Sequence, residues 1–203
     1  YQIFVDRFFN GEEEGKVLNP KKNTFIYGRW DDEPMYIKDI NGNIVRWDFY
    51  GGNLLRVIKK LKYIKSLGIS TIYLNPIFDS PSCHKYDTGN YEKIDSMFGD
   101  ENIFKELCSK AEKLGIKIVL DGVFSHTGSD SKYFNKYGNY NEIGAYQAKD
   151  SRYYKWYRFY EYPNKYDSWW GFDNQPNVDE LNEDYINYIV RDNNSIISKW
   201  MKL

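Results

Sequence analysis

Apolar side chains recur every three or four positions in two segments of the chain, residues 54–67 and 102–114, with charged side chains between them. This spacing places the apolar residues on one face and predicts two amphipathic α-helices. Gly68 and Gly115 directly follow these segments. Glycine readily adopts the left-handed conformation that closes many helices, so we expect both glycines to act as C-terminal caps.

Three apolar runs predict β-strands, over residues 1–5, 70–77 and 117–124. They alternate with the two helices, an order that favours right-handed crossovers and a parallel sheet. The runs are nearly continuous in apolar residues, which is typical of strands that are covered on both faces.

A third helix is predicted within residues 181–203, where isoleucines recur at helical spacing. The connection before it is longer than the earlier one, and aromatic residues concentrate between positions 133 and 170. We interpret this connection as a domain inserted into a larger barrel. The predicted division is a first barrel part at 1–126, an inserted aromatic-rich domain at 127–180 and a barrel helix at 181–203.

An open, doubly wound sheet is the alternative α/β architecture. No glycine-rich phosphate-binding loop follows any of the predicted strands, which favours the barrel.

The composition describes a globular chain of 203 residues, with 41% hydrophobic side chains and a net charge of −1. This charge gives no reason to expect nucleic acid or a membrane surface as a partner. No apolar run approaches the roughly 20 residues of a membrane-spanning helix. Because the chain opens in a strand-like segment, we expect no signal peptide. Its 2 cysteines make no disulfide framework, so we expect a reducing, cytoplasmic location.

Polar residues follow the predicted strands where active sites form in parallel α/β folds. Asn75 ends the second strand, Asp121 and His126 end the third, and the loop "CHKYDTGNY" carries Tyr86 and Asp87. We expect these segments to converge on one cleft. Taken singly, each residue also has a structural interpretation, as a turn residue, a packed aromatic or a hydrogen-bonded core histidine.

Several other chemistries fit the pattern less well. Asp6 and Arg7 at the end of the first strand are interpreted as a structural ion pair. The spacing of the two histidines is not typical of a transition-metal site, and no Gly-x-Ser-x-Gly elbow indicates a serine nucleophile. The aromatic side chains favour a sugar ligand, because their faces match the C–H faces of pyranose rings. Most of them are also expected to form the core of the inserted domain.

The motifs together resemble those of the alpha-amylase family of glycoside hydrolases, family 13, and its neopullulanase-like, cyclomaltodextrinase-like and pullulanase-like members. The segment "LDGVFSHTG" is similar to the family's Asp-x-Val-x-Asn-His region at the end of barrel strand three. The segments "YQIFVDRFFNG", "FYGGNL", "LGISTIYLNPIF" and "HKYDTGNYEKID" are similar to its first two strand regions, and "NKYDSWWGFDNQPNVDELN" to the end of its inserted B domain.

This resemblance implies an eight-stranded TIM barrel, of which the chain would hold the first three β/α units and the B domain after strand three. It implies that His126 hydrogen-bonds the sugar before the scissile bond and that Tyr86 stacks on the same sugar. Asp121 would contact the substrate and orient the catalytic groups from beneath them, while Asp87 and Asn75 would support the site.

The resemblance also implies retaining hydrolysis of α-glucosidic bonds in α-glucans or maltooligosaccharides. The nucleophile and the acid/base would lie beyond residue 203, in the missing C-terminal part of the barrel, so this chain alone is expected to be inactive. The alternative is a non-catalytic amylase-like subunit that binds carbohydrate or another protein. The linkage preference stays open, because "QPNVD" departs from the form associated with mixed specificity.

No cofactor and no metal are expected. Calcium is the alternative, since many family members bind it through the Asn of the strand-three region. Ser125 stands at that position here, and Glu12 is the second candidate ligand in "EEEGK". Serine offers one oxygen where a calcium ion takes six to eight.

Overall fold

The computed structural model describes residues 1–10, 18–42 and 44–203, which form two compact units. Unit 1 comprises residues 1–77, 81–85 and 93–121. Unit 2 comprises residues 78–80, 86–92 and 122–203.

The strands of the described residues are β1 (Gln2–Ile3), β2 (Thr24–Ile26), β3 (Trp47–Phe49), β4 (Thr71–Leu74), β5 (Phe78–Asp79), β6 (Asn90–Ile94), β7 (Lys117–Leu120), β8 (Phe159–Glu161) and β9 (Lys165–Tyr166). The α-helices are α1 (Leu54–Ser66), α2 (Glu101–Lys113), α3 (Glu183–Ile186) and α4 (Ile196–Met201). Short 3₁₀ turns lie at Val5–Arg7, Tyr154–Trp156 and Trp169–Gly171, and a π-helical turn lies at Asn187–Arg191.

Unit 1 is built on a parallel sheet in the order β1, β4, β7. Gln2 lies opposite Tyr73 across the first pair, and Thr71 lies opposite Lys117 across the second. Helices α1 and α2 pack against each other in the same unit. The predicted alternation of parallel strands and helices is therefore confirmed.

The ends of the first two helices follow from local residues. The side chains of Asn53 and Asp100 accept hydrogen bonds from the first turns of α1 and α2, from N–H of Arg56 and Ile103. Gly68 follows α1 with φ +79°, and Gly115 has φ +65° after α2. Both glycines adopt the left-handed conformation, as the sequence predicts.

Strand β7 has β4 as its one neighbour within the described sheet, and Val119 is 41% exposed. Among the described residues β7 therefore lies at an edge of the sheet. The expectation that this strand is covered on both faces stays a prediction for the complete protein.

Asp6 and Arg7 form the expected ion pair, with Arg7 Nε 2.9 Å from Asp6 Oδ2. The Asp6 carboxylate also accepts hydrogen bonds from the backbone N–H groups of Tyr50 and Gly51, each at 3.1 Å. Burial raises the pKa of Asp6, and these hydrogen bonds oppose the rise. The carboxylate therefore ties the end of β1 to the segment before α1.

A second buried carboxylate, Asp95, balances two lysines in unit 1. Its Oδ2 accepts hydrogen bonds from Nζ of Lys85 at 2.7 Å and from Nζ of Lys21 at 2.5 Å. The Lys85 ammonium also lies over the rings of Phe98 and Phe49, at 4.6 and 5.2 Å from their centroids. Burial alone would raise the pKa of Asp95, but the two ammonium groups outweigh burial and lower it.

Aromatic side chains form the core of unit 2, as expected for the insertion. Trp156 packs between Tyr133 and Tyr185, with ring centroids at 5.6 and 5.0 Å. Phe134 contacts Tyr157 edge-on at 4.9 Å. All five residues are buried.

The single helix predicted within residues 181–203 is wrong. Helix α3 passes into the π-helical turn, which ends before the extended residue Asp192, and α4 begins separately. Asp192, Asn193 and Asn194 are short polar residues, which favour turns over helix interiors. Ser195 then caps α4 by accepting a hydrogen bond from N–H of Ser198. The predicted domain boundaries after residues 126 and 180 stay a prediction.

None of the helices among the described residues is both long and apolar enough to cross a membrane.

We predict that Asp95→Asn lowers the free energy of unfolding by about 3–5 kcal/mol, because it leaves the Lys85 ammonium buried without a counter-charge. Glu101→Gln is the matched control, since its exposed pair with Lys105 contributes less than about 1 kcal/mol. Urea unfolding of both variants measures the difference. A loss for Asp95→Asn as small as that of the control would contradict the prediction.

The same carboxylate predicts a pH dependence. Because its folded pKa is lowered, its contribution to stability is present above the unfolded value of about 3.9 and is lost as the pH falls through the folded pKa. Asp95→Asn should therefore flatten the acid limb of a plot of stability against pH. An unchanged acid limb would exclude Asp95 as its source.

Candidate functional site

His126 lies in unit 2, on the segment that follows β7, and it is 4% exposed. Its backbone forms a bridge with Asn177, and the next N–H, of Thr127, donates to the Pro176 carbonyl at 3.1 Å. The histidine is therefore held against the segment in which the "QPNVD" motif lies.

Both ring nitrogens of His126 have protein partners. Nε2 lies 3.0 Å from the backbone carbonyl of Tyr86, and Nδ1 lies 3.1 Å from the hydroxyl of Ser125. A carbonyl only accepts, so Nε2 carries a proton, and in the neutral imidazole Nδ1 then accepts from the Ser125 hydroxyl. Burial lowers the pKa of His126, although the Tyr86 hydrogen bond and the Asp87 charge oppose this. The imidazole is therefore neutral at pH 7.

The Tyr86–Thr88 segment is fixed against residues 126–128 by a second contact. N–H of Gly128 donates to the Thr88 carbonyl at 2.8 Å. A Cβ at Gly128 would lie 2.5 Å from the Asp87 carbonyl oxygen, so only glycine permits this approach. The "HKYDTG" and "SHTG" motifs, which are distant in sequence, thus form one clamp.

Asp87 contributes to the clamp and is 2% exposed. Its Oδ1 accepts a hydrogen bond from the Ser80 hydroxyl at 2.6 Å. Tyr86 itself is half-buried. The structure therefore brings Tyr86, Asp87, Ser125 and His126 together within unit 2.

Asn75 and Asp121 belong to unit 1. The Asn75 side chain accepts a hydrogen bond from Gln2 Nε2 at 2.9 Å, which joins the ends of β1 and β4. N–H of Asp121 donates to the Leu74 carbonyl at 3.1 Å and so extends the β4–β7 pairing by one residue. The pKa of Tyr73 is raised by burial, with a further contribution from its hydrogen bond to Asp121.

A polar cavity of about 390 Å³ lies in unit 2. Its lining includes Ser125, Trp169, Arg158, Asp167, Asn177 and Asp179. The Trp169 ring also packs against the His126 ring, with centroids 5.6 Å apart. The sequence pattern predicts no role for Trp169. The adjacent pair of tryptophans before a glycine is the signal that could have indicated it.

The calcium alternative stays a prediction. In the described ranges, no three His, Cys, Asp or Glu side chains cluster closely enough to hold a metal ion. The Ser125 hydroxyl is directed to His126. Glu12, the other candidate, lies outside the described residues.

Comparison with protein families gives a match over residues 2–193, to the alpha amylase catalytic domain. An amylopullulanase from Thermoanaerobacterium saccharolyticum is 43% identical over 226 aligned residues, which cover 99% of this chain and 17% of that protein. An intracellular maltogenic amylase from Bacillus subtilis is 36% identical over 193 residues, which cover 94% of this chain and 29% of that protein. The chain thus spans less than a third of these relatives.

Solved structures give the same result. A cyclic alpha-maltosyl-(1→6)-maltose hydrolase from Arthrobacter globiformis matches with a TM-score of 0.79 and 26% identity, over 100% of this chain and 41% of that one. The type III pullulan hydrolase from Thermococcus kodakarensis matches with a TM-score of 0.76 and 26% identity, over 100% of this chain and 35% of that one. The expected TIM-barrel class is confirmed by these neighbours.

We predict that His126 titrates below its ordinary pKa of about 6.5 and carries its proton on Nε2 at pH 7. Because the unfolded chain takes up this proton first, stability falls as the pH drops below about 6.5. Long-range ¹H–¹⁵N NMR spectra report the pKa and the tautomer, with His126→Gln to assign the signal and His84→Gln as the control. An imidazolium signal at pH 7 would contradict this.

Proposed function

The chain belongs to the alpha-amylase family, and from this premise we propose that the complete protein hydrolyses α-glucosidic bonds of α-glucans or maltooligosaccharides. The proposal depends on the clamp between residues 86–88 and 126–128. This clamp holds the imidazole of His126 against the backbone carbonyl of Tyr86, on two loops of one unit. The names of the relatives, which include amylopullulanase and maltogenic amylase, indicate the substrate class.

Within this proposal, Tyr86 stacks on a pyranose ring, and its backbone position is set by the hydrogen bond from His126. A sugar hydroxyl that displaces the exposed Ser125 hydroxyl would donate to Nδ1 of His126. Asp121 orients groups at the carboxyl end of β7. Retaining hydrolysis needs two carboxyl groups about 5–5.5 Å apart, as nucleophile and acid/base. We assign both to the remainder of the complete protein, together with the rest of the barrel.

The second candidate is a non-catalytic subunit that binds α-glucan. One observation favours it, since both ring nitrogens of His126 are engaged by protein groups. Such a histidine can serve as structural support without contacting a substrate. Both candidates, the hydrolase and the non-catalytic subunit, are compatible with a cytoplasmic location, since Cys83 and Cys108 both carry free thiols.

Incubation of the complete protein with maltooligosaccharides, starch and pullulan tests the proposal. Proton NMR of the first products identifies the anomer, and a retaining enzyme releases the α-anomer from an α-glucoside. Binding of these glucans without any release of reducing ends would favour the non-catalytic subunit. Neither binding nor hydrolysis would exclude both functions.

We predict that Tyr86→Ala lowers kcat/KM of the complete protein by about tenfold, because the stacking face is lost. Tyr86→Phe is the matched control and keeps the face, so its kcat/KM should stay within about threefold of the wild type. Equal losses in both variants would show that the hydroxyl, and not the ring face, carries the effect.

A further inference from the structure

Two adjacent indole rings stack face to face in unit 2, which leaves the outer face of the second ring open. The rings of Trp169 and Trp170 are stacked, with centroids 4.8 Å apart and planes that differ by 1°. Phe172 continues the stack from Trp169, at 6.1 Å and 28°. Trp170 is 84% exposed, whereas most tryptophan side chains are largely buried. We call Trp169, Trp170 and Phe172 the aromatic platform.

The platform stands on a loop that its own backbone closes. N–H of Trp169 donates to the Gln175 carbonyl at 2.9 Å, and N–H of Gln175 donates to the Phe172 carbonyl at 2.8 Å. Trp170 has a φ of +51°, a conformation that a bulky residue adopts only where its surroundings impose it. The loop therefore holds the Trp170 ring in an exposed position.

The platform and the polar cavity are continuous, because Trp169 belongs to both. The cavity presents the guanidinium of Arg158, the amide of Asn177 and the carboxyl groups of Asp167, Asp179 and Glu180. These groups offer both hydrogen-bond donors and acceptors. Three carboxylates against one guanidinium disfavour an anionic ligand, so the lining suits a neutral, hydroxyl-rich molecule.

We propose that the aromatic platform and the adjoining cavity form a subsite for an α-glucan segment. One glucose unit stacks on the Trp170 face, and the next presents its hydroxyls to Arg158 and Asn177. A pyranose has an apolar face and a polar rim, which matches an open ring beside a polar cavity. This inference rests on the proposed function for the class of ligand, but binding at the platform does not require hydrolysis.

Three variants of the complete protein test the subsite. Trp170→Gly removes the ring and suits the positive φ, so its melting temperature should not fall below that of the wild type. Trp170→Tyr keeps an aromatic face. Tyr160→Ala is the matched control, because Tyr160 is another exposed aromatic residue of unit 2 outside the platform.

Affinity for maltoheptaose is measured by titration calorimetry at 4 °C, where turnover is slow, and hydrolysis is assayed separately. We expect Trp170→Gly to raise the dissociation constant about tenfold, the loss of one aromatic contact. We expect Trp170→Tyr to stay within about threefold of the wild type and Tyr160→Ala to leave the constant unchanged.

The two readouts separate the two proposals. If the complete protein binds maltoheptaose through Trp170 but hydrolyses no glucan, the subsite is supported and the proposed hydrolase function is overturned. If the complete protein hydrolyses glucans but Trp170→Gly binds maltoheptaose as tightly as the wild type, only the subsite proposal is overturned. An equal effect of Tyr160→Ala, or no binding by the wild type, also overturns the subsite.

Discussion

The hydrogen bond from His126 Nε2 to the Tyr86 carbonyl is the contact on which the candidate site depends. It joins residues 40 positions apart and decides which ring nitrogen carries the proton. In the neutral ring Nδ1 then accepts, and the Ser125 hydroxyl is the group that donates to it. The close approach at Gly128 removes the remaining freedom of the two loops. A substitution in this clamp would therefore act on the ring of Tyr86 through its backbone.

Buried charge has a related role immediately before Tyr86 in the chain. Lys85 is fully buried and has a φ of +61°, a conformation that is uncommon for a side chain of its length. Its pairing with Asp95 holds the residue in this geometry. Replacement of a buried ion pair by apolar residues often costs nothing in stability. Removal of one partner alone is costly, so we expect the pair both to hold this backbone conformation and to be required as a pair.

Local patterns predicted α1, α2 and the parallel strand order, because one apolar face and one capping residue determine each helix. The clamp residues could also be named, since Tyr86, Asp87 and His126 lie in short motifs at strand ends. The break between α3 and α4 cannot be predicted from the isoleucine spacing, because this spacing continues on both sides of Asp192.

The aromatic residues show most clearly that the burial of a side chain cannot be predicted from the local sequence. The composition does not distinguish Trp156 from Trp170. Trp156 is buried in the core of unit 2, whereas Trp170 is exposed to solvent. Burial of an indole is favourable by the area it removes from water, so an exposed Trp170 forgoes that stabilisation. Its positive φ adds a second cost at the same residue. A loop that retains both costs, beside a polar cavity lined by its neighbour Trp169, is better explained by binding than by folding.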